Sequence, residues 1–174
     1  MPEEPTWPGE YVIDTAHAYR TPTWPMPRIR WGTPLRDMPA KNDVWYQLKG
    51  QNWGSIKNDH KITRNDIIRF NRDLYGTRSV PKIWVFNDFG PIAIRWYRDI
   101  NANRILDGRE VLSGQMLHTT PENEAQQIRR LPVKLGHSHG CIHLKPQDRD
   151  RLFSIGAFKS GTPFIVHKYD EKYF

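Results

Sequence analysis

Long apolar runs, paired cysteines and repeats are all missing from this chain, and each absence removes a class of protein. No stretch approaches the ~20 apolar residues that a membrane-spanning helix needs, so no such helix is expected. The N-terminal MPEEPTWPGEY lacks the basic-then-apolar pattern of a secretory signal. Either an export signal has been removed, or the protein reaches its site by another route, such as injection as a toxin by a secretion apparatus. With one cysteine, Cys141, no intramolecular disulfide can form, and cysteine usage leaves the redox compartment open. Acidic residues are outnumbered, 19 against 26 Lys and Arg, for a net charge of +7. That balance suits an acidic partner: nucleic acid, a membrane surface or a carboxylate-rich bacterial wall. No basic recognition helix with readable spacing is present, which argues against nucleic acid.

What the chain does have is turns. Its 174 residues include 12 Gly and 14 Pro with 37% hydrophobic residues, enough for a core but punctuated too often for a helical bundle. The expected fold class is mainly β, or α+β, with a few short helices. Residues 1–43 hold eight of the prolines and read as an irregular arm with one strand near Tyr11-Val12-Ile13. Trp7, Trp24 and Trp31 favour cover, so the arm should lie against the body. Residues 44–76 read as strand, turn and helix: Thr63 can cap, Asp66 sits at the third helical position, and Ile67, Phe70 and Leu74 recur at helical spacing before Gly76. The spacing predicts a helix over 64–75. Within this segment Tyr46, Gly50, Ser55-Ile56 and Asp66-Ile67…Asn71 resemble a LysM module, a family of glycan binders. Residues 77–174 carry predicted strands at 82–86, 91–97, 111–117 and 163–167. Two short helices are predicted between them, one opening at Pro121 with Pro132 beyond its end, the other opening at Pro146 and stopping before Gly156.

The most informative run is Gly136-His137-Ser138-His139-Gly140-Cys141-Ile142-His143-Leu144, preceded by Gln115-Met116-Leu117-His118-Thr119-Thr120 at a strand end. A cysteine attacks as thiolate and needs a base within reach, and a small neighbour lets a carbonyl approach backbone N–H donors. His118 and Gly140 can supply these features, and the amides of His139, Gly140 and Cys141 could hold the oxyanion. Against this stands the ordinary fate of a lone cysteine, a small buried hydrophobe.

The Ser-His-Gly-Cys-Ile-x-Leu run after a strand ending in His-Thr resembles the signature of the L,D-transpeptidases (YkuD-like). The Pro146…Asp148…Leu152 helix and the strand from Gly161 to Val166 are similar to that family's closing elements, and the likeness spans about 77–174. The resemblance implies a twisted β-sheet or sandwich, and peptidoglycan tetrapeptide stems as substrates. It also implies an acyl-enzyme on Cys141, with His118 as base aided by the Thr119 carbonyl, and Ser138 and His139 in support. It calls for no cofactor and no metal. Two departures stand out: the His118–Cys141 gap is long, its polar insertion 122–135 suggesting a helical lid, and His143 stands where the family commonly has Asn or Arg for the substrate carboxylate.

Two metal readings compete with these. His137, His139, Cys141 and His143 alternate, but same-face residues lie about 7 Å apart along a strand, so four in a row cannot converge on one zinc ion. Asp99, Asn101, Asn103, Asp107 and Glu110 place oxygens on a calcium-loop template. Arg104 occupies the sixth place, normally Gly, and strands flank the loop, so a hairpin held by Asx hydrogen bonds is the expectation, with little response to calcium. Three functions remain open. They are an L,D-transpeptidase of periplasm or wall, which as a secreted antibacterial effector would have an immunity or delivery protein as partner; an L,D-carboxypeptidase or endopeptidase using water; and a non-catalytic wall-binding module.

Overall fold

The computed structural model describes residues 5–19 and 28–171. In chain order the elements are β1 (Gly9–Tyr19), β2 (Leu35–Met38), β3 (Asp43–Gln47), β4 (Trp53–Ser55), α1 (Ile56–His60), α2 (Arg64–Tyr75), β5 (Ala93–Arg98), β6 (Val111–His118), α3 (Pro121–Ile128), β7 (Ile142–His143), α4 (Pro146–Ser154) and β8 (Pro163–Val166). The fold is mainly β with a few short helices, as the punctuated sequence predicts. None of the described helices is long and apolar enough to cross a membrane.

The chain divides into two compact units. The first comprises 1–19, 92–119 and 134–174 and holds a five-stranded sheet in the order β7-β6-β5-β1-β8. β1 runs antiparallel to both β5 and β8, with Tyr11 opposite Arg98 on one side and Phe164 on the other. Tyr11, Val12, Ile13 and Asp14 are all buried, so both faces of β1 are covered there. A doubly covered strand lacks in/out alternation, which is why only its apolar triplet is visible in sequence. The core gathers Tyr11, Ile13, Ile94, Trp96, Leu117 and Phe158, with the Tyr11 and Trp96 rings 5.9 Å apart.

The second unit, 20–91 with 120–133, packs Ile29, Val44, Ile56, Ile67, Trp84 and Phe86 beneath the sheet β2-β3-β4. α2 occupies the predicted 64–75. Thr63 and Asp66 close a reciprocal capping box at its start, and Gly76 ends it at φ 73°. Ser55 caps α1 by accepting the Asn58 N–H. α3 packs on α2, and the Arg129 guanidinium donates to the Leu74 carbonyl.

One strand does not form as predicted. Residues 82–86 run extended but make a single bridge, Ile83 with Pro34. The Trp84 N–H donates to Thr33 O and the Leu35 N–H to Lys82 O, but the Thr33 N–H turns back to Arg30 O and Trp84 O takes the Gly32 N–H instead, so the turn at 30–33 breaks the register and no ladder extends. The apolar character that suggested a strand instead buries Trp84 and Phe86 in the core. Of the arm's tryptophans, Trp31 packs against the second unit's core, Trp7 stays 60% exposed, and Trp24 lies outside the described residues.

Candidate active site

Parallel pairing of β6 with β7 builds the site in the first unit: Leu117 is opposite Ile142 and His118 opposite His143. Continuing that register sets Cys141 beside Met116. Because side chains alternate along a strand, Met116, His118, Cys141 and His143 project from one face, with Cys141 and His118 as diagonal neighbours. The Met116 N–H donates to the Cys141 sulfur, which ties the thiol to β6 two residues before His118.

His118 is 4% exposed. Its Nδ1–H donates to the Thr119 carbonyl at 2.8 Å, so the lone pair sits on Nε2. Burial lowers the imidazole pKa to about 4; the Thr119 carbonyl works in the opposite direction, and nearby His143 adds to the lowering. Burial likewise raises the Cys141 thiol, with the Met116 amide opposing. Both shifts favour a neutral thiol beside a neutral imidazole, a pair that must move a proton in order to react.

The Cys141 loop is fixed by contacts that sequence reading does not supply. Gly140 has φ 92°, a left-handed conformation that disfavours a side chain, and a Cβ there would lie 2.0 Å from Gln115 Nε2. Glycine is therefore required twice over. Gln115 Oε1 accepts the Trp7 N–H at 3.1 Å, and the Thr6 hydroxyl donates to the Gly140 carbonyl at 2.9 Å. Ser138 Oγ donates to the Cys141 carbonyl at 2.5 Å, closing the loop from within. Cys141 and Ser138 line a cavity of about 640 Å³ whose walls include Thr6, Pro8, Lys168 and Tyr169.

The predicted residues separate into two groups. Cys141, Ser138 and Gly140 stand at the cavity loop, while His118 and Thr119 are buried and do not line the cavity. His139 is exposed and does not line the cavity. Nor does His143: its Nδ1–H donates to Gly136 O at 3.1 Å, and its ring meets His118 edge-on at 4.7 Å. Sequence reading missed three contributors, Thr6, Gln115 and Arg149. Arg149, buried on α4, donates from its guanidinium to Thr119 Oγ1 at 3.4 Å, on the residue whose carbonyl takes the His118 Nδ1–H. Inside an Asp-Arg-Asp-Arg run it looks like one charge of a solvated helix face.

Residues 1–166 match the family model described as YkuD, the L,D-transpeptidase catalytic domain. No curated protein and no solved structure matches the chain.

Proposed function

Since the chain belongs to the L,D-transpeptidase (YkuD) family, we propose that it acts on bacterial wall peptides through an acyl-enzyme on Cys141. The observation that carries this reading is the His118 Nδ1–H bond to the Thr119 carbonyl on the strand that holds the Cys141 sulfur. It leaves Nε2 as the only basic nitrogen of the ring, on the face that Cys141 shares. His118 takes the thiol proton as sulfur attacks the carbonyl of a tetrapeptide stem. Negative charge on the carbonyl oxygen is met by the amides of the Gly140–Cys141 turn. Collapse breaks the peptide bond, the departing amine takes the proton from His118, and a thioester remains. An amine of a second stem then attacks the thioester, its proton passes through His118 to the sulfur, and a crosslink results.

Ser138 and Gln115 hold the loop, and Arg149 with Thr119 orients the base. His143 serves as packing partner of the His118 ring, because it does not line the cavity where a substrate carboxylate would meet it. His139, exposed beside the loop, takes its place in the substrate approach. Water as acceptor gives the carboxypeptidase or endopeptidase outcome from the same thioester. Action at the wall, with delivery as an antibacterial effector, fits the basic charge of the chain.

Mass analysis of purified peptidoglycan stems tests the reading, because crosslinked, trimmed and unchanged products differ in mass. Cys141→Ala is expected to abolish turnover while costing only about 1–2 kcal/mol of stability, as loss of one sulfur leaves a small cavity. His118→Ala should nearly equal it, and the double variant should be no worse than either, since the two act as a unit. Full turnover by folded Cys141→Ala would remove the mechanism and leave the wall-binding module as the reading.

A further inference from the structure

The hairpin joining β5 to β6 takes no part in this chemistry, yet its twelve residues, Asp99 to Glu110, follow the calcium-loop template at places one, three, five, nine and twelve. The structure answers the first objection raised by the sequence and upholds the second, since strands do flank the loop. Arg104, at the place normally held by Gly, adopts φ 60°, the left-handed turn for which the template uses glycine. The flanking strands pair Arg98 with Val111, which sets Asp99 and Glu110, the first and last places, opposite each other at the hairpin mouth.

The acceptors at that mouth are incompletely satisfied. Asp99 is 8% exposed and turns its carboxylate into the loop, where Oδ2 accepts the Arg104 N–H at 2.6 Å. Its Oδ1 is shielded from solvent and has no hydrogen-bond partner. Glu110 repeats the pattern: Oε2 accepts the N–H groups of Asp107 and Gly108, and Oε1 is shielded without a partner. A buried carboxylate oxygen lacking a donor is costly, and a cation is the ligand that relieves it.

Between the two ends, Asn101 Oδ1 accepts the Asn103 N–H at 3.3 Å and Asn103 Oδ1 accepts the Ile105 N–H at 2.8 Å. Each amide oxygen keeps a second lone pair. Both Asn side chains donate to Asp107 Oδ2, at 3.3 and 3.0 Å, so Asp107 orients them. The Arg104 guanidinium reaches Glu10 at 3.6 Å. Among the described residues no three His, Cys, Asp or Glu side chains form a ready metal cage, so any ion here would depend on amide and main-chain oxygens beside two carboxylates.

We propose that this hairpin binds calcium, through the unpartnered oxygens of Asp99 and Glu110, the amide oxygens of Asn101 and Asn103, and the Ile105 carbonyl. An all-oxygen set of mixed charge and irregular loop geometry suits calcium better than magnesium, which demands tight octahedral geometry. The proposal is independent of the role of Cys141.

Titration of CaCl2 into the chelator-treated full chain, followed by calorimetry and by melting temperature, tests it without reference to turnover. Saturable binding with Kd on the order of 10⁻⁴ M is expected, in the range of extracellular calcium modules. The melting temperature should rise with calcium and fall back with chelator by mass action, and MgCl2 should give a smaller rise. Glu110→Gln, at a half-buried position, should fold normally and lose at least about tenfold in affinity, equivalent to ~1.4 kcal/mol. Asp99→Asn should lose as much. No saturable heat up to ~10 mM CaCl2, well above that Kd range, overturns the proposal. Wild-type affinity in Glu110→Gln, or an equal response to magnesium, does so too.

Discussion

Burial of His118 works against its protonation, and with the proposed role of base that sets how turnover should respond to acid. In the fold its pKa is about 4, whereas an unfolded histidine titrates near 6.5. The ring is therefore neutral, and able to accept the thiol proton, at every pH above about 4. The acid limb of kcat/KM should fall near pH 4 instead of near 6.5, and a pH–rate profile with its midpoint at 6.5 would remove His118 as the base. Stability carries the same signature. Between pH 6.5 and 4 the unfolded chain binds a proton that the native chain excludes, so stability present above 6.5 is lost as pH falls through that window. Across the full window the loss is on the order of 3 kcal/mol. His118→Ala should flatten it in denaturant titrations run at pH 7 and pH 4.5. Cys141 and His118 stand out in the sequence because reactive residue types occur in a recognisable run, and the pairing of β6 with β7 brings their segments side by side. Gln115 does not stand out, since its function depends on Gly140 being folded against it from a distant stretch of chain, and no local pattern encodes that approach.

At the scale of elements, legibility followed how local the determining physics is. α2 was readable to its ends because its cap, third-position Asp66 and terminal Gly76 all lie within the segment itself. Residues 82–86 were misread as a strand because burial and extension look alike in sequence, whereas pairing depends on the turn at 30–33, far away in the chain. Charges brought together by folding were equally invisible, and Asp88 illustrates this in the second unit. Burial, followed by repulsion from Glu122 at the start of α3, raises its carboxyl pKa to about 6. Because the folded value lies above the unfolded one, protonated Asp88 favours the fold, and that advantage is lost as pH rises from about 4 through 6. Asp88→Asn, which keeps the shape and removes the charge, should raise the melting temperature at pH 7.5 and leave it nearly unchanged at pH 4. An equal rise at both pH values would show that the charge is not the cause.

For the molecule as a whole, the family match reaches back to residue 1, well before the stretch from 77 onward whose motifs resembled the family. The sheet explains this: β1 lies between β5 and β8, so a segment read as a proline-rich arm supplies an interior strand of the unit that carries Cys141. Net charge, unlike strand order, is fully legible without a fold. With +7 at neutral pH, the chain should approach a carboxylate-rich wall by long-range attraction, which salt screens over about 10 Å at 0.1 M. Attraction to a polymer sums over many charges, whereas the bond-making proposed for Cys141 belongs to a half-buried site that salt reaches less. Binding and chemistry should therefore respond differently to ionic strength. Retention of the silent Cys141→Ala variant on purified peptidoglycan should drop steeply between ~50 and ~500 mM NaCl as the screening length contracts. Over the same range, wild-type kcat on a short soluble stem peptide should change little. Sedimentation of the variant with insoluble wall, alongside turnover of the soluble peptide, measures both. Retention that ignores salt would mean that the basic surface is not what brings this protein to its substrate.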